Sequence, residues 1–365
     1  MAQIKILYIF RPGRSNLIER HQRGESPRDM LYGMADINPD EFAVSFIERD
    51  DTRRDWRRRL SSPLDRWASR RLRMGFSLHF ALQHWGKLRR ADVIISTADV
   101  VGLPIALLKW LRLIPTPVIY ISQGLTDRMD ALPPDSRSYR FFKKWYGRWL
   151  RSLERVIVLG EGAIDPLLAT FNLDAARVAA APFGVDAGFW SPDENSARGD
   201  FILSVGSDPA RDYETLLAAL DDLPATIVTR LPLTDTRESV QIAADFSDVE
   251  LRGLYQSARI VVTPLLDVAQ PSGQSASLQA MACGAAVILS DTRGLWEREH
   301  MRHMENCCLV QPCDVPALRA AMQFLWDNPA HAERIGANAR RSIEARYNSR
   351  AFAAMLEVHI RDLLL

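Results

Sequence analysis

The sequence predicts an α/β protein made of two doubly wound domains, each built around a parallel sheet. Short apolar, β-branched runs alternate with helix-length amphipathic stretches, and this alternation restarts near residue 201 after an irregular segment. A Ser/Gly-rich loop at 270–275 leads directly into a short helical segment that lies between two apolar runs. The length of 365 residues also fits two domains better than one.

The first half of the chain contains five predicted strands, at residues 4–10, 43–47, 92–96, 118–121 and 155–159. The stretches between them are long enough to hold helices, as connections between parallel strands require. The second half repeats the pattern with strands predicted at 201–206, 225–229, 260–263 and 286–290, and with helical sequence from 315 to 365. Residues 182–199 lose this periodicity and gather Pro, Gly, Asp and Ser, so we expect the hinge between the domains there.

The loop at 270–275 has the composition of an anion-binding site. Backbone N–H groups in the first turn of a helix have no partner inside the helix, and the helix dipole places partial positive charge at the same end. A phosphate group near Ser272 and Ser275 would therefore meet donors that are already oriented. The sequence predicts a diphosphate-containing ligand here, and the alternative is an ordinary turn with a serine cap.

Composition excludes several classes of protein. Hydrophobic residues make up 47% of the chain and charged residues 25%, which is typical of globular proteins. The chain has no apolar run long enough to span a membrane, its four cysteines show no disulfide framework, and no cationic, apolar leader precedes the first strand. These features predict a protein of the reducing cytoplasm.

Positive charge is concentrated in one segment. Residues 53–90 carry twelve Lys and Arg against two Asp, whereas the whole chain has a net charge of only +1. A second segment, 138–151, places aromatic side chains and cations on separate helical stripes, which include Arg140, Lys144, Trp145, Arg148 and Trp149. Aromatic rings with cations favour contact with an anionic membrane surface, and no nucleic-acid-binding motif accompanies the charge. The alternative is a solvated basic helix whose aromatic rings pack into the core.

Motifs in family order along most of the chain resemble the GT-B glycosyltransferases of the large retaining family 4 (glycosyl transferases group 1). The segment Ala280-Met281-Ala282-Cys283-Gly284, followed by Gly294-Leu295-Trp296-Glu297, is similar to the helix and the glycine loop of that family. Phe183-Gly184-Val185-Asp186 resembles its hinge, and residues 202–206 with 211–217 resemble the start of its nucleotide-binding domain. The tail from 328 to 347 is similar to its closing helices.

The resemblance implies the GT-B fold, in which two Rossmann-like domains face a central cleft. It places an acceptor-binding domain at 1–186, a nucleotide-sugar-binding domain at 187–345, and a C-terminal helix at 346–365 that crosses back to the N-terminal domain. It also implies donor-binding roles for residues of the second domain and catalytic roles for one residue of each domain. The donor-binding set is Gly206, Arg211, Ser272, Gly273, Gln274, Ser275 and Gln279, and Arg211 with Gln123 form the catalytic set.

On the acceptor side, the resemblance points to the cleft residues Gly13, Gly24, Gln123, Gly124 and Asp127. Gly13 or Gly24 would let the backbone approach the diphosphate, and Gln123 would stand where the family often has histidine. Two family glutamates are replaced here by Pro271 and Gln279. Gln279 can still bind ribose through its amide, but proline offers neither charge nor a donor.

The implied activity is transfer of a sugar, with retention of configuration, from a nucleoside-diphosphate sugar to a lipid-linked or membrane-proximal glycan acceptor. The enzyme would act on the cytoplasmic face of the membrane as a peripheral protein. It would need no metal and no cofactor besides the donor substrate. The alternatives are a catalytically degenerate GT-B protein that binds a nucleotide or a partner, and a sugar-nucleotide epimerase, for which no carboxylate acid/base pair stands out.

Overall fold

The computed structural model describes residues 3–48, 63, 65–67, 69–71, 75–193 and 197–364. It divides into two compact units. Unit 1 comprises Met1–Glu19, Met30–Pro182 and Phe352–Leu365, and unit 2 comprises Arg20–Asp29 and Phe183–Ala351. No helix in the described ranges is long and apolar enough to cross a membrane.

Unit 1 is built on a six-stranded parallel sheet in the order β2-β1-β3-β4-β5-β6. Its strands are β1 (Ile4–Phe10), β2 (Phe42–Glu48), β3 (Val93–Ser96), β4 (Val118–Ser122), β5 (Arg155–Val158) and β6 (Val178–Ala180). The helices of this half of the chain are α1 (Arg14–Gln22), α2 (Leu78–Gln83), α3 (Trp85–Leu88), α4 (Asp99–Trp110), α5 (Leu125–Asp130), α6 (Arg137–Leu150) and α7 (Ile164–Phe171). Single 3₁₀ turns lie at Asp29–Leu31, Met34–Asp36, Glu161–Ala163 and Ala175–Arg177.

Unit 2 is built on a second parallel sheet in the order β12-β11-β10-β7-β8-β9. Its strands are β7 (Ile202–Val205), β8 (Ala225–Val228), β9 (Val240–Ala243), β10 (Ile260–Thr263), β11 (Ala286–Ser290) and β12 (Cys308–Val310). The helices are α8 (Tyr213–Ala219), α9 (Asp248–Ser257), α10 (Gln274–Ala282), α11 (Val315–Asp327), α12 (Pro329–Ala345) and α13 (Ser349–Leu364), the last of which ends in unit 1.

Each sheet is buried by helices on its faces, as parallel sheets require. In unit 1, α4 packs against β3 and β4 and α6 packs against α4, so that Leu103, Tyr120 and Phe142 lie in one core. In unit 2, α8 and α11 cover the sheet, and Ile260, Leu216 and Met322 are fully buried. The near-continuous apolar runs read from the sequence are therefore strands that are covered on both sides.

The predicted fold class, α/β with two doubly wound sheets, is confirmed. The structure adds three short strands that were not predicted, β6, β9 and β12, at outer positions of the sheets. It also differs at the unit boundaries, since residues 20–29 belong to unit 2 although the sequence placed them in the N-terminal domain. The predicted hinge is largely part of unit 2, because Phe183, Val185 and Trp190 are buried there.

Candidate functional site

The candidate site of unit 2 lies where its chain changes direction across the sheet. From β7 the chain runs outward through β8 and β9 and then returns to β10 on the other side of β7. In open α/β sheets, ligands bind at the carboxyl ends of the two strands that flank this switch point. Gly206 directly follows β7, and a backbone bridge joins Arg211 to Leu265, two residues after β10.

Arg211 fills the switch point of unit 2. Its residue surface is 8% exposed, and its buried Nε and Nη1 atoms have no hydrogen-bond partner among the described residues. Burial lowers the pKa of this guanidinium from its ordinary value, but an arginine side chain stays charged in proteins. An unpaired buried cation is costly unless something compensates it. An anionic ligand would supply that compensation.

Two glycines make room for the Arg211 side chain. A Cβ added to Gly206 would overlap the guanidinium, and one added to Gly273 would lie 2.9 Å from Nη1 of Arg211. Gly273 also has a left-handed conformation with φ +72°, which side chains rarely adopt. The structure therefore brings together three of the predicted donor-binding residues, Gly206, Arg211 and Gly273.

Ser272 joins the two loops of the switch point. Its hydroxyl donates to Oδ1 of Asp208 over 3.0 Å, and the same oxygen accepts the backbone N–H of Ala210 at 2.8 Å. The Ser272 hydroxyl proton therefore forms a hydrogen bond within unit 2, whereas the sequence predicts a contact between Ser272 and a ligand. Asp208 interacts electrostatically with Arg211 without forming a salt bridge.

Helix α10 begins beside this guanidinium. Gly273 is its N-cap residue, and Gln274 and Ser275 form its first turn. Inside the helix, the Ser277 hydroxyl donates to Oγ1 of Thr263 over 3.0 Å, which ties the helix to the end of β10. The partial positive charge of the helix start and the charge of Arg211 add at one place. Chemically, the site can bind an anion of the size and charge of a phosphate or diphosphate.

Gln279, predicted to contact ribose, makes a protein contact instead. Its amide Nε2 donates over 2.9 Å to Oδ2 of Asp29, which also accepts the Trp190 Nε1–H at 2.8 Å. Oδ1 of Asp29 accepts the backbone N–H of Asp186 at 2.5 Å. Burial nevertheless raises the pKa of Asp29 to about 6 because desolvation outweighs the three hydrogen bonds. The ribose contact of Gln279 stays a prediction, and the amide oxygen is the atom that could make it.

Residues 20–29 are held on unit 2 by further polar contacts. Arg20 forms a 3.1 Å salt bridge with Asp248, and the Ser26 hydroxyl donates to the same carboxylate. The backbone N–H of Arg28 donates to Asp186 over 3.3 Å. Gly24, predicted to lie near the diphosphate, belongs to this segment and is exposed with φ +73°. Asp29 was missed by the sequence analysis because an isolated aspartate in an irregular segment gives no signal.

In unit 1, Gln123 follows β4 and is fixed by its own unit. Its Nε2 is 2.5 Å from the Tyr32 hydroxyl and donates to the carbonyl of Thr97 over 2.6 Å. Its backbone N–H donates to the buried carboxylate of Asp99 at 3.0 Å. Both N–H groups of the amide are therefore engaged, so the carbonyl oxygen is the group that could contact a ligand.

Gly124, with φ +94°, is the N-cap residue of α5, and the partly buried Asp127 lies in the first turn of that helix.

Gly13 lies in the loop between β1 and α1 of unit 1. Its φ is +94°, it is exposed, and a Cβ placed there would meet no atom within 4 Å. The loop is thus open at this point. The predicted catalytic residues Gln123 and Arg211 and the predicted cleft glycine Gly13 occupy carboxyl edges of their respective sheets.

The predicted membrane-contact residues divide into exposed and buried sets. On α6, Arg140, Lys144 and Arg148 are exposed, and the Arg148 guanidinium lies 5.1 Å from the Trp145 ring. Trp149 is only 7% exposed and packs against core rings, so its predicted membrane contact is wrong for this structure. Trp149 therefore belongs to the core of unit 1. The cations at 53, 54, 57–59 and 73 lie outside the described residues.

Exposed aromatic rings from other segments extend the α6 surface. Trp67 lies 4.8 Å from the Phe141 ring, and Trp110 lies 5.8 Å from the Trp145 ring. Trp67 and Phe141 are each 37% exposed and Trp110 is 39% exposed. We call the four residues Trp67, Trp110, Phe141 and Trp145 the aromatic surface of unit 1.

Comparison with known proteins agrees with this geometry. Residues 208–328, which contain the unit 2 site, match the family model of glycosyl transferases group 1. No curated protein is significantly similar to the chain in sequence.

Solved structures resemble the chain over nearly its full length. Sucrose-phosphate synthase from Thermosynechococcus elongatus superposes with a TM-score of 0.69 and 20% identity, over 99% of each chain. HepE from Anabaena, determined with UDP, gives 0.66 and 13% identity over 98% of this chain and 100% of the other. A UDP-forming α,α-trehalose-phosphate synthase from Burkholderia xenovorans gives 0.65 and 12% identity over 100% of both.

These similarities define the class of protein. The chain has the GT-B fold, and residues 208–328 match the family model of glycosyl transferases group 1. The resemblance predicted from the sequence is confirmed at that level, and assignment to family 4 stays a prediction.

Proposed function

We propose that this protein is a retaining glycosyltransferase that uses a nucleoside-diphosphate sugar as donor and a lipid-linked or membrane-proximal glycan as acceptor. The observation that carries the proposal is the position of Arg211. Its buried, unpaired guanidinium lies between Gly206 and Gly273 at the switch point of unit 2, beside the start of α10. The match of this region to group 1 glycosyl transferases supports the same conclusion.

The chemistry explains why a cation belongs there. As the sugar leaves, the nucleoside diphosphate gains negative charge in the transition state, and preorganised cations and N–H groups stabilise such charge. Arg211 would contact the diphosphate, assisted by the backbone N–H group of Ser275, whereas the N–H of Gln274 already donates to the carbonyl of Pro271 over 3.4 Å. The oxygen of Gln279 would accept a ribose hydroxyl, and the oxygen of Gln123 would contact a hydroxyl of the transferred sugar.

A uridine nucleotide is the first donor to test. The HepE structures contain UDP or UDP-glucose, and the Burkholderia synthase forms UDP. These are properties of those proteins, and for this chain they motivate the choice of UDP-sugars. The reaction proposed here needs no metal and no further cofactor.

The acceptor is proposed to lie at an anionic membrane surface on the cytoplasmic side. The aromatic surface of unit 1 and the exposed cations Arg140, Lys144 and Arg148 support this. Clustered cations attract anionic lipids, and tryptophan favours the headgroup boundary. Catalysis by a peripheral protein would let it reach an acceptor that is held in the bilayer.

A second candidate is a GT-B protein that binds a nucleotide without turnover. Two observations favour it: proline replaces a family glutamate at position 271, and the Gln279 amide is engaged by Asp29. This alternative shares the nucleotide site and differs only in whether a sugar is transferred.

A transfer experiment separates the two candidates. The purified protein is incubated with UDP-glucose, UDP-galactose, UDP-N-acetylglucosamine and GDP-mannose, with and without a membrane lipid extract, and nucleoside diphosphate release is measured. Extract-dependent release from one donor, with an α-linked product seen by NMR, supports the retaining transferase. Nucleotide binding without release from any donor supports the degenerate protein, and a β-linked product contradicts retention.

A further inference from the structure

The carboxyl edge of the unit 1 sheet has its own switch point. From β1 the chain passes to β2 on one side, and β3 pairs with β1 on the other. This is the place where open parallel sheets bind ligands. The loop after β1 begins with Arg11, passes through the open backbone at Gly13 and enters α1 at Arg14. Two arginines thus flank the crevice within one short loop.

Glu48 interacts electrostatically with Arg14 and Asp99 with Arg11, but no described carboxylate forms a salt bridge with either guanidinium. Arg11 is exposed and Arg14 is partly buried. The buried Nε of Arg14 also has no hydrogen-bond partner among the described residues. Burial lowers the pKa of Arg14 from its ordinary value, Arg11 lowers it further, and Tyr32 and Glu48 oppose the shift, so the two like charges are close enough to interact.

The helix start at Arg14 is already occupied. Oε2 of Glu48, at the end of β2, accepts the backbone N–H groups of Arg14 and Ser15 at 2.5 and 3.1 Å, and Oε1 accepts the Ser15 hydroxyl at 2.7 Å. Glu48 therefore accepts the free N–H groups at the N-terminus of α1, and both of its carboxylate oxygens are engaged there. Recognition of an anion at this edge falls to the two arginine side chains.

The polar groups on the far side of the crevice are fixed. The Thr97 hydroxyl, after β3, donates to the carbonyl of Ile9 over 3.0 Å, and Gln123 holds both Thr97 and Tyr32. Asp99 accepts a hydrogen bond from Tyr120 and another, at 3.0 Å, from the backbone of Gln123. Its buried carboxylate interacts electrostatically with Arg11 but forms no salt bridge with either loop arginine.

We propose that Arg11 and Arg14 bind a phosphate group on the acceptor, so that the acceptor of this enzyme is a phosphomonoester. Two adjacent guanidinium groups match the charge of a phosphate dianion, and each can donate two parallel hydrogen bonds to its oxygens. A neutral sugar hydroxyl would accept hydrogen bonds from them without supplying an opposite charge. The inference rests on the proposed function, because it names the class of acceptor for that same reaction.

The phosphate could belong to a soluble sugar or to a lipid. Glucose 6-phosphate represents the first source, and octyl phosphate, used below its micelle concentration, represents the second. Their controls are glucose and octanol. Binding is measured by calorimetry in buffer free of phosphate and sulfate, with the parent protein and with Arg11→Gln, Arg14→Gln and the double variant. Arg90→Gln is the matched control, since Arg90 is an exposed cation before β3, at the opposite edge of the same sheet.

We expect at least one phosphate ester to bind the parent protein and neither neutral control to bind. Each single variant should weaken binding at least tenfold, the double variant should abolish it, and Arg90→Gln should bind as the parent does. Binding of octyl phosphate alone would assign the lipid source, and binding of glucose 6-phosphate alone would assign the soluble one. Failure of both esters to bind, or equal binding by the double variant, would overturn the proposal.

UDP binding, measured on the same samples, separates this proposal from the proposed function. If the parent protein binds UDP but neither phosphate ester, only the proposal of a phosphomonoester acceptor is overturned. Phosphate ester bound in an Arg11- and Arg14-dependent manner without UDP binding supports the unit 1 site and contradicts the transferase. Unchanged UDP affinity in the double variant also shows that the variant is folded.

Discussion

Gln279 donates its side-chain amide to the buried carboxylate of Asp29 over 2.9 Å. The contact joins α10, which begins at the candidate diphosphate site, to a segment that precedes it by 250 residues in sequence. Asp29 is 1% exposed and also receives hydrogen bonds from Trp190 and from the backbone of Asp186. The residue that replaces a family glutamate at 279 is therefore matched to a carboxylate elsewhere in unit 2.

Restoring glutamate at position 279 should destabilise the protein. Gln279→Glu would place a second carboxylate beside Asp29, and two buried like charges at this distance cannot both ionise without cost. We expect a loss of roughly 2–4 kcal/mol of unfolding free energy at pH 8, measured by urea denaturation, with part of it recovered at pH 5 when the pair holds a proton. Gln279→Leu, which removes the hydrogen bond and adds no charge, should cost about 1–2 kcal/mol with little pH dependence. Equal losses for both variants at both pH values would argue against a charged pair.

Asp29 should make stability depend on pH in the mildly acidic range. Its pKa in the folded protein is about 6, above the ordinary value of 3.8, so the folded state holds the proton more tightly than the unfolded state. The stabilisation from Asp29 is therefore complete below about pH 4 and is lost as the pH rises through 6. Between these limits the parent should lose on the order of 3 kcal/mol relative to Asp29→Asn, which does not titrate. Parallel stability curves for the two proteins from pH 4 to pH 7 would show that this carboxyl does not titrate in that range.

Gly206 and Arg211 should be coupled energetically. A methyl group at Gly206 overlaps the guanidinium, and φ +153° adds backbone strain. We expect Gly206→Ala to cost about 2–3 kcal/mol in the parent and about 1 kcal/mol in Arg211→Ala, where only the backbone strain remains. Gly253→Ala is the control. It lies inside α9 with no atom within 4 Å of its Cβ position, so it should be neutral or stabilising and additive with Arg211→Ala. If the losses of unfolding free energy in Gly206→Ala and Arg211→Ala are additive, the absence of a side chain at Gly206 is not what makes room for the guanidinium.

The aromatic surface of unit 1 should bind anionic membranes. The double variant Trp67→Ser, Phe141→Ser and the triple variant Arg140→Ser, Lys144→Ser, Arg148→Ser should each reduce flotation with phosphatidylglycerol vesicles, because they remove apolar contact and charge separately. The triple variant, unlike the double variant, should also weaken the dependence on salt, since each cation contributes about 1 kcal/mol that salt screens. Phe324→Ser, an equally exposed ring in unit 2, is the control. Parent protein that floats equally with neutral and anionic vesicles, or with neither, contradicts membrane docking.

Much of the fold could be predicted because its central strands are continuous apolar runs that are buried on both faces. Strands at 4–10, 260–263 and 286–290 were predicted within their observed bounds, since β-branched residues fill them. The three missed strands span three or four residues at outer positions, and Val240–Ala243 interrupts its apolar residues with Gln241. Their pairing is determined by the neighbouring strand, which periodicity along the chain does not encode.

The candidate site was predictable in part for a similar reason. Arg211, Gly206 and Gly273 lie next to strands and helix starts that the sequence marks clearly. The contact between Gln279 and Asp29 depends on where residues 20–29 pack, and no local pattern places that segment on unit 2. Trp149 follows the same helical period as Phe141 and Trp145. Only the Trp149 ring is buried in the core, and the other two rings stay partly exposed because the aromatic stripe is wider than the buried face of α6.

Calorimetric titration of UDP into the parent protein and into Arg211→Gln tests the proposed diphosphate site most directly. Glutamine keeps much of the side-chain length and removes the charge, so a charge-assisted hydrogen bond to the diphosphate is lost at a cost of about 1.5–3 kcal/mol. We expect the parent to bind UDP and the variant to bind it with ten- to hundredfold weaker affinity, while thermal unfolding without UDP is unchanged or occurs at a higher temperature because a buried unpaired cation is gone. Equal UDP affinity in the two proteins, or loss of the fold in Arg211→Gln, would contradict it.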